Sequence, residues 1–420
     1  MNYQKPKGTT DFYPKEKAVY EYLRNTISEE CKKFGFQQVN SPAFETVELL
    51  TAKSGEEIKQ QLFVMEKRSN EQFALRFDLT VPLTRMFVTK QKELPKPVKW
   101  FAIEPMWRYE APQKGREREF TQADVEIFGS NTPETDAQVI NLIISCFERF
   151  GITNKDIAVK INNRKLLEGL LQEIAPKDKL DDVVRIIDKS AKISESQFVE
   201  ELLQIGIDRQ KIEVVKKIIK CRGEPSIIQS IKQELPLNDL AQEGLAELAA
   251  ILPLITPGFA IVDLSVARGL AYYTGTVFEF FDKNGEFRAL AGGGRYDSLI
   301  ELFGGDPCPA TGFGFGFSTL TLFLESKGKL PAIDLGPEYY VAPVNEQLLT
   351  KSLEITEKLR EKTSADVDLM RRSLSKQIEY ANSIGAKKIV IVGEKDLKEG
   401  KVTVRDLQSG KEDKVEVDEL

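Results

Sequence analysis

The sequence predicts a fold of mixed α and β structure, in which a helical block interrupts the main domain and a small α/β module follows it. From Lys165 to about Leu252 the chain is rich in Leu, Ile, Lys and Glu at helical spacing, whereas strand-like segments lie on both sides. Glycine and proline cluster from Gly328 to Pro337, and strand-like and helical segments alternate after that cluster. We therefore expect four segments: residues 1–164, 165–255, 256–328 and 336–420.

The elements on either side of the helical block are predicted from spacing and from the positions of proline and glycine. Residues 14–35 place four side chains on one helical face. These are Tyr20, Leu23, Ile27 and Cys31. We expect an extended segment over 36–42, short strands interrupted by prolines over 73–128, a helix over 133–150, and strands again over 260–317.

The composition is that of an ordinary globular protein. The 420 residues include 59 Lys and Arg against 65 Asp and Glu, a formal charge of −6, and 41% of them are hydrophobic. No run reaches the roughly 18 apolar residues that a membrane span needs, and the first residues contain no apolar core of a secretory signal. We therefore expect a cytoplasmic protein with no membrane partner.

The chain contains no histidine, which excludes every catalytic arrangement that depends on an imidazole base. Its four cysteines are far apart and form no CxxC, so we expect buried reduced thiols and no protein-bound zinc. These are Cys31, Cys146, Cys221 and Cys308. The chemistry must then use carboxylates, arginines, lysines, tyrosines and backbone amides.

The densest group of polar side chains lies on a predicted hairpin. Arg108 ends its first strand, Arg116 and Arg118 follow the turn, and the second strand runs over 120–128. Alternation places one polar stripe on a single face of that strand: Gln122, Asp124 and Glu126. Arginines of opposite strands beside such a stripe suit an anion and a small zwitterion bound together, although a surface hairpin in water has the same pattern.

Two shorter segments add candidate binding residues. Asp78 and Thr80 are two positions apart, so in a strand they would face the same way, and a carboxylate beside a hydroxyl suits an ammonium group. Arg268 with Tyr272 and Tyr273 fits the lip of a pocket and equally fits an aromatic core strand. Alone, each segment is also explained by ordinary strand structure.

Glycines mark a candidate ligand face after the helical block. Gly292–Gly294 allow a backbone or a ligand to approach closely. Gly312, Gly314 and Gly316 alternate along a predicted strand and leave one face without side chains, on which a flat base or a ribose would lie. A packed bulge or a helix contact would need the same glycines. The spacing matches neither GxGxxG nor a Walker loop, so neither a dinucleotide fold nor a P-loop is indicated.

Taken together, these segments resemble the histidyl-tRNA synthetase family of the class II aminoacyl-tRNA synthetases. Five strings occur in the order of that family: GTTDFYP, LRFDLTVPLTR, RYEAPQKGREREFTQ, RGLAYYTG and AGGGRYDSL. The resemblance implies the α+β class, with an antiparallel sheet flanked by helices. It makes residues 1–164 and 256–328 a catalytic core, 165–255 a helical insertion and 336–420 an anticodon-binding domain. It also implies a homodimer with its interface around Phe36–Leu50.

The resemblance further implies roles for single residues. Arg108 would hold the α-phosphate of ATP and the carboxylate of the amino acid, and Arg268 would contact the same reacting centre. ATP contacts are also expected at Arg116, Gly312 and Gly314. Histidine contacts are expected at Asp78, Thr80, Gln122, Glu126, Tyr272, Tyr273 and Tyr296. Contacts to tRNA are expected at Gln113 and Arg118. Arg371 and Arg372 are further tRNA candidates because affinity for nucleic acid follows local basic surface, although they also fit a solvated helix face.

The implied chemistry suits a chain without histidine. Adenylation needs no general base, because the carboxylate of an amino acid is already ionised at pH 7. It needs that carboxylate held near the α-phosphorus, and arginines with Mg²⁺ to offset the negative charge of the transition state. The expected reaction ligates L-histidine to its tRNA through a histidyl-adenylate, with ATP and Mg²⁺ bound as a substrate complex and no metal site of the protein alone.

Three positions depart from the family pattern. Thr319 stands near the place of an arginine that stacks on adenine, Ala271 replaces an acidic residue, and Thr121 replaces a histidine. An alternative is the regulatory subunit of ATP phosphoribosyltransferase, which resembles these synthetases but lacks the catalytic arginines and commonly the anticodon domain. Arg108, Arg268 and the C-terminal module favour the enzyme, whereas the missing third-motif arginine favours the regulator. A synthetase for another amino acid is a third alternative.

Overall fold

A computed structural model of the chain describes residues 3–52, 56–67, 70–268 and 272–420. The chain divides into two compact units, Met1–Asp11 with Tyr20–Leu330 and Phe12–Val19 with Pro331–Leu420. Within the described ranges, no helix is both long enough and apolar enough to cross a membrane. Ala271, one of the departures from the family pattern, lies outside the described residues.

The larger unit is built on a mainly antiparallel sheet. Its strands are β1 (Gln37–Gln38), β2 (Phe44–Thr46), β3 (Phe73–Leu75), β4 (Val98–Trp107), β5 (Glu119–Phe128), β6 (Ile157–Asn163), β7 (Arg222–Gly223), β8 (Ala260–Asp263), β9 (Thr276–Asp282), β10 (Ala291–Arg295) and β11 (Ala310–Gly316). Nine of these described strands form one sheet in the order β1-β4-β5-β11-β10-β9-β6-β8-β7, and β2 pairs with β3. The pairs β1–β4 and β6–β8 are parallel, whereas β4–β5, β5–β11, β11–β10, β10–β9, β9–β6 and β8–β7 are antiparallel. The predicted α+β class is therefore confirmed.

Helices cover this sheet and form the block between β6 and β8. They are α1 (Pro14–Lys33), α2 (Val47–Thr51), α3 (Glu56–Gln61), α4 (Thr80–Lys90), α5 (Pro133–Arg149), α6 (Arg164–Gln172), α7 (Leu180–Lys189), α8 (Glu195–Gln204), α9 (Arg209–Lys220), α10 (Ile227–Glu234), α11 (Asp239–Ile251), α12 (Leu299–Leu302) and α13 (Phe317–Ser326). The helices expected over 14–35 and 133–150 are present as α1 and α5. Helices α6 to α11 lie where the composition predicts a helical block.

One face of the sheet is buried against helices, and the other carries polar side chains. On α1, Leu23, Ile27 and Cys31 are fully buried and Tyr20 partly buried, as their helical spacing predicts. They share one core with the apolar residues of β5, which are Ala123, Val125 and Ile127. Because side chains alternate along a strand, the polar stripe of β5 lies on the opposite face.

The expectation that Asp78 and Thr80 share a strand face is wrong. Thr80 is the first residue of α4. Asp78 lies just before that helix, where its Oδ1 accepts a hydrogen bond from the backbone N–H of Val81 at 3.2 Å. Pro82 is compatible with this helix, because the first turn of a helix has no intrahelical acceptor for its N–H groups.

Pro105 does not interrupt a strand but lies inside β4. The neighbour of β4 on one side, β1, pairs only with Trp100 and Phe101, so the missing N–H of Pro105 leaves no ladder bond unmade on that side. The carbonyl of Pro105 instead accepts a hydrogen bond from Nε of the buried Arg76 at 3.1 Å. This contact ties the strand to the segment that leads into α4.

The C-terminal unit has its own five-stranded sheet within the described residues, in the order β13-β12-β14-β15-β16. Its elements are β12 (Tyr339–Pro343), α14 (Leu349–Arg360), β13 (Ala365–Val367), α15 (Leu374–Ser383), β14 (Lys388–Val392), α16 (Glu394–Lys398), β15 (Lys401–Asp406) and β16 (Glu412–Glu416). The alternation of strand and helix agrees with the sequence. Strand β16 is not predicted from the sequence, because its residues are almost all polar and mostly exposed.

Candidate active site

Two cavities open on the polar face of the larger sheet. We call the first, of about 340 Å³, the arginine-rich cavity. Its lining includes Arg108, Arg116, Glu117, Arg268, Glu279, Arg288, Gly316 and Thr319. We call the second, of about 490 Å³, the tyrosine-lined cavity. Its lining includes Asp78, Thr80, Asp124, Tyr272, Tyr273, Tyr296 and Gly312.

The two cavities adjoin, since several described residues line both of them. These shared residues are Arg108, Glu110, Arg116, Gln122, Arg268, Gly292 and Gly314. The sequence singles out Arg108 and Arg268 as the catalytic arginines. They come from distant parts of the chain, one directly after β4 and the other shortly after β8, and the sheet brings them to one place. With Arg116 of the turn after β4, three guanidinium groups therefore line both cavities.

Arg108 is held in a fixed orientation. Its Nε donates to the carbonyl of Phe77 at 2.9 Å, and its guanidinium carbon lies 5.0 Å from the centre of the Phe120 ring. Burial lowers the pKa of Arg108, and the nearby carboxylates Asp78 and Asp124 act in the opposite direction. One edge of the guanidinium is thus fixed by the backbone, and the side chain lines both cavities.

Arg268 reaches the junction in a conformation that L residues rarely adopt. Its φ is 45°, in the left-handed region, which indicates local strain of the kind found at functional sites. Its Nη1 donates to Oε1 of Glu279 at 3.2 Å, whereas its buried Nε has no hydrogen-bond partner among the described residues. A Cβ on Gly292 would lie 1.7 Å from Nη1, so this position requires glycine. The orphaned donor is available to a ligand.

Glu126 lies behind the wall of the tyrosine-lined cavity and is fully buried, with an exposed fraction of 0%. Its Oε1 accepts a hydrogen bond from Oγ1 of Thr80 at 2.8 Å, and its Oε2 accepts one from the hydroxyl of Tyr296. Burial raises the pKa of Glu126 well above its ordinary value, and Asp124 raises it further. Glu126 therefore ties a residue of α4 to a residue after β10.

Gly312 makes room for the buried carboxyl group of Glu126, so it does not form an open face for a flat ligand. It lies opposite Glu126 in the β5–β11 register, and a Cβ on it would lie 1.7 Å from Oε2 of Glu126. Gly314 similarly makes room for Gln122, whose Nε2 would lie 2.3 Å from an added Cβ. Gly316, in contrast, has open space where its side chain would be. The predicted open glycine face is thus reduced to the end of β11.

Asp124 is a site residue that the sequence-based roles miss. It is only 2% exposed, lines the tyrosine-lined cavity, and accepts hydrogen bonds from Nε2 of Gln122 at 2.9 and 3.1 Å. Burial raises its pKa to about 8, the carboxylate of Asp78 adds to this, and Gln122 and Arg108 oppose it. Burial likewise raises the pKa of Asp78 to about 6. The alternation of β5 is the signal that identifies Asp124.

Three tyrosine rings form one wall of the tyrosine-lined cavity. The ring centres of Tyr272 and Tyr273 are 4.7 Å apart, and those of Tyr272 and Tyr296 are 5.7 Å apart at nearly a right angle. The chain before Tyr296 is anchored by Arg295, whose guanidinium donates to both carboxyl oxygens of the buried Asp136 at 2.7 and 3.0 Å. A bidentate ion pair therefore fixes the residue that precedes Tyr296 in this wall.

The turn after β4 presents Arg116 to both cavities, where it pairs with Glu110. Gln113 and Arg116 close the turn through backbone hydrogen bonds of 3.0 and 2.8 Å. Arg118 has different contacts, since its Nε donates to the carbonyl of Glu110 at 3.0 Å and its guanidinium lies 4.0 Å from the ring centre of Tyr109. Of the three predicted residues of this turn, Arg116 therefore lines both cavities, whereas Gln113 and Arg118 make contacts within the turn.

Two further regions supply lining residues without a sequence signal. Arg288, on the loop between β9 and β10, lines the arginine-rich cavity, as does Thr319. Its side chain makes no hydrogen bond or ion pair within the part of the chain that the structure describes. Helix α7 of the helical block contributes three residues to the tyrosine-lined cavity, which are Arg185, Asp188 and Lys189.

The predicted tRNA contacts of the C-terminal unit precede α15 instead of lying on it. Arg371 has a φ of 53°, and its side chain is 67% exposed. Arg372 pairs with Asp368 at 2.8 Å and lies 4.1 Å from the ring centre of Tyr380. The solvated helix face that was the alternative for these arginines is therefore wrong.

The side chains of this chain that could ligate a metal are those of Asp, Glu and Cys. No group of three or more such side chains within the described ranges could hold a metal ion. Cys31, Cys146 and Cys308 are buried as expected, whereas Cys221 is half-buried. The arginine-rich cavity is lined by three carboxylates that could meet a cation carried by an anionic ligand: Glu110, Glu117 and Glu279.

Comparisons with known proteins agree along the whole chain. A family model described as histidyl-tRNA synthetase matches residues 8–320, and one described as anticodon binding domain matches residues 338–420. The histidine–tRNA ligase of Pyrococcus furiosus is 38% identical over 99% of this chain and 97% of its own length. That of Thermococcus kodakarensis is 39% identical over 98% and 96%.

A solved structure supports the same relationship. The crystal structure of histidyl-tRNA synthetase from a Nostoc species matches with a TM-score of 0.83 and 28% identity, over 100% of this chain and 98% of that one. The predicted family, fold class and enzyme class are thereby confirmed, and the enzyme is favoured over the regulatory subunit. The chain belongs to the histidyl-tRNA synthetase family.

Proposed function

We propose that the chain joins L-histidine to its tRNA in two steps, through a histidyl-adenylate formed from ATP. The observation that carries this proposal is the position of Arg108 and Arg268, which line both cavities at their junction. An amino acid in one cavity and a nucleotide in the other would bring carboxylate and α-phosphate together between two guanidinium groups. Such positioning and charge stabilisation are what adenylation requires.

The nucleotide belongs in the arginine-rich cavity. Arg108, Arg116, Arg268 and Arg288 give this cavity the cationic lining that a triphosphate needs. Mg²⁺ enters with ATP as part of the substrate complex, and Glu117 and Glu279 are the carboxylates of this lining that would meet it. The end of β11 at Gly316 leaves room beside Thr319 for the base.

The family's third-motif arginine, which stacks on adenine, is absent here, and we propose that Arg288 supplies a cation to the nucleotide instead. Thr319, near the corresponding place, donates its hydroxyl to the carbonyl of Gly115 at 3.3 Å and offers no charge. Arg288 reaches the same cavity from a different element, with its guanidinium unengaged within the described residues. A cation on this wall would offset the negative charge of the triphosphate.

Histidine belongs in the tyrosine-lined cavity, with its carboxylate at the junction. Gln122 lines both cavities and is placed to contact the backbone atoms of the amino acid. Thr80, Tyr272, Tyr273 and Tyr296 supply hydroxyl groups and rings around the space left for the imidazole. An imidazole carries a hydrogen-bond donor and an acceptor in one flat ring, which distinguishes it from apolar side chains in such a cavity.

The remaining parts of the proposal concern the whole molecule. We assign residues 1–164 and 256–328 to catalysis, 165–255 to an insertion, and 336–420 to anticodon binding, with Gln113, Arg118, Arg371 and Arg372 contacting tRNA. A cytoplasmic homodimer is proposed, with its interface near Phe36–Leu50. Exposed apolar side chains in or near this segment support that interface: Phe44 (47%), Val64 (45%) and Met65 (38%).

The test is ATP–pyrophosphate exchange with each amino acid in turn, followed by aminoacylation of tRNA. We expect exchange with L-histidine alone and transfer of histidine to tRNA. Exchange with a different amino acid would show that the substrate is wrong. Absence of exchange with every amino acid, from a folded protein, would favour the regulatory alternative.

A further inference from the structure

Two residues near the start of the chain hold one side of the turn that follows β4. The carbonyl of Gly8 accepts hydrogen bonds from the backbone N–H groups of Arg118 at 2.7 Å and Glu119 at 3.3 Å. The hydroxyl of Thr10 donates to Oε1 of Glu117. We call Gly8 and Thr10 the N-terminal anchors. They fix three consecutive residues that lead from the turn into β5.

The position of Gly8 requires a glycine, so this close approach depends on the residue type. Its φ is 85°, in the left-handed region that favours glycine. A Cβ on Gly8 would lie 2.8 Å from Cγ of Arg118 and 2.9 Å from Cγ of Pro112. Both distances are well inside the roughly 3.5–4.0 Å that non-bonded carbon atoms prefer. The chain can therefore cross the turn this closely only at a residue without a side chain.

Glu117 differs from the other two carboxylates that line the arginine-rich cavity. Glu110 pairs with Arg116, and Glu279 pairs with Arg268. Glu117 makes no ion pair with a lysine or an arginine in the described part of the chain. Its negative charge is therefore left for a ligand of this cavity to neutralise.

Neutral hydroxyl groups hold both oxygens of the Glu117 carboxylate. Oε1 accepts a hydrogen bond from Thr10, and Oε2 accepts one from Oγ of Ser318 at 2.5 Å. Ser318 lies in the first turn of α13 and also lines the arginine-rich cavity. Because each carboxylate oxygen has a second lone pair, these bonds fix the orientation of the group and leave it able to bind a cation. Carboxylate oxygens are usual ligands of Mg²⁺.

We propose that the N-terminal anchors position Glu117 to meet the Mg²⁺ that ATP carries, and that Thr10 is the positioning residue for its carboxylate. The inference rests on the proposed binding of ATP in the arginine-rich cavity. Ordering a long, flexible side chain at the moment of binding weakens the affinity for a ligand. Because Thr10 and Ser318 order Glu117 beforehand, ATP binding does not include this cost.

The experiment measures ATP binding to the full-length protein by calorimetric titration in the presence of Mg²⁺. We expect Thr10→Val, which removes the hydroxyl and nearly keeps the size of the side chain, to weaken ATP binding about fivefold and histidine binding less than twofold. Thr10→Ser keeps the hydroxyl and should bind ATP normally. Thr9→Val is the matched control, because the hydroxyl of Thr9 donates to the carbonyl of Pro6 at 2.8 Å.

Two further measurements distinguish the positioning of Glu117 from a general effect on the turn. In a Glu117→Ala background, Thr10→Val should change ATP binding less than twofold, because the carboxylate that Thr10 orients is absent. With EDTA in place of Mg²⁺, Thr10→Val should bind ATP as the unsubstituted protein does. Ser318→Ala, which removes the hydroxyl at the other oxygen, should weaken ATP binding in the same way as Thr10→Val.

Each outcome separates this inference from the proposed function. Equal weakening of ATP and histidine binding by Thr10→Val, or of neither, would overturn the inference. A loss that persists in the Glu117→Ala background or without Mg²⁺ would overturn it as well. Failure of the unsubstituted protein to bind ATP would instead contradict the proposed function. Thr10 is exposed, so Thr10→Val should fold normally. If its thermal unfolding is altered, Ser318→Ala decides the matter, and full ATP affinity in that variant would overturn the inference.

Discussion

The two cavities share three arginines, Arg108, Arg116 and Arg268, but the residues that line only one of them differ in kind. The arginine-rich cavity has four guanidinium groups on its walls and an open glycine at its end. The tyrosine-lined cavity has three aromatic rings, the carboxyl groups of Asp78 and Asp124, and charged residues of both signs from α7. The aromatic rings distinguish the side proposed for histidine from the side proposed for ATP. Substitutions on one side should therefore affect one substrate and spare the other.

Arg268 belongs to both cavities, so its loss should have the largest effect. We expect Arg268→Ala to slow adenylate formation by about 100-fold or more, on the order of 3 kcal/mol of lost charge stabilisation. Its buried Nε has no hydrogen-bond partner among the described residues, so the substitution breaks no hydrogen bond of that atom to those residues. Single-turnover formation of the adenylate measures the effect.

The control for Arg268 is Arg222→Ala, because Arg222 also pairs with a carboxylate, Asp263, at 3.5 Å, but from an exposed position on β7. This variant should form adenylate at the normal rate. A loss of less than threefold in Arg268→Ala, from a protein with unchanged thermal unfolding, would remove Arg268 from the mechanism.

Tyr296 tests the tyrosine-lined cavity alone. Tyr296→Phe removes the hydroxyl that Glu126 accepts and leaves a buried carboxyl with one partner fewer. We expect histidine binding to weaken about tenfold, since a buried polar group left unsatisfied costs about 1–3 kcal/mol, while ATP binding changes less than twofold. Glu126→Gln should have a milder effect in the same direction, because an amide can still bond both hydroxyls. Separate titrations of histidine and ATP measure both variants.

Tyr340→Phe is a matched control in the C-terminal unit, where the hydroxyl of Tyr340 donates to Asp368 at 3.3 Å. It breaks the same kind of bond and should leave histidine and ATP binding unchanged. If Tyr296→Phe weakens both substrates equally, the wall acts on the whole site, and the division between the cavities is wrong.

Arg288 tests the arginine-rich cavity alone. We expect Arg288→Ala to raise the KM for ATP about fivefold and to leave the KM for histidine within twofold, as for an exposed cation that meets a phosphate at about 1 kcal/mol. Lys283→Ala, on the same loop, is the control for loss of a positive charge. An unchanged KM for ATP in pyrophosphate exchange would show that Arg288 does not replace the missing third-motif arginine.

Sequence reasoning succeeds where local periodicity carries the information. The buried face of α1 follows from the spacing of Leu23, Ile27 and Cys31, and the polar face of β5 follows from simple alternation. The junction arginines are identified from the resemblance, since neither spacing nor composition links Arg108 with Arg268. Only the sheet, which places distant strands side by side, shows that they line the same space.

The failures have a common physical cause, which is that tertiary context decides between local alternatives. A spacing of two residues suits a strand, but Asp78 and Thr80 flank the start of a helix. The alternating glycines suggest a free face, but the register with β5 fills it at Gly312 with the carboxyl of Glu126. Arg288 stands in a loop without any pattern, so only the folded chain shows which cavity it lines.

The smallest expected effect concerns stability, and it sharpens the contrast between the cavities by measuring the buried acid directly. The pKa of Asp124 is raised from 3.8 to about 8 by burial, with Asp78 adding to the shift and Gln122, Arg108 and Arg76 opposing it. A raised folded-state pKa means that the native protein binds a proton that the unfolded chain releases. The corresponding stability is present below pH 3.8 and is lost as the pH rises towards about 8.

Asp124→Asn removes this titration. The melting temperature of the variant, relative to that of the unsubstituted protein, should therefore increase as the pH rises. We expect the difference between the two to grow by about 2 °C or more from about pH 5 to about pH 8. The charge of Asp124 also raises the pKa of Glu126, so the comparison measures Asp124 together with its effect on Glu126. A difference that is constant with pH would mean that Asp124 does not titrate in this range, and that its carboxylate is already stabilised without a bound cation.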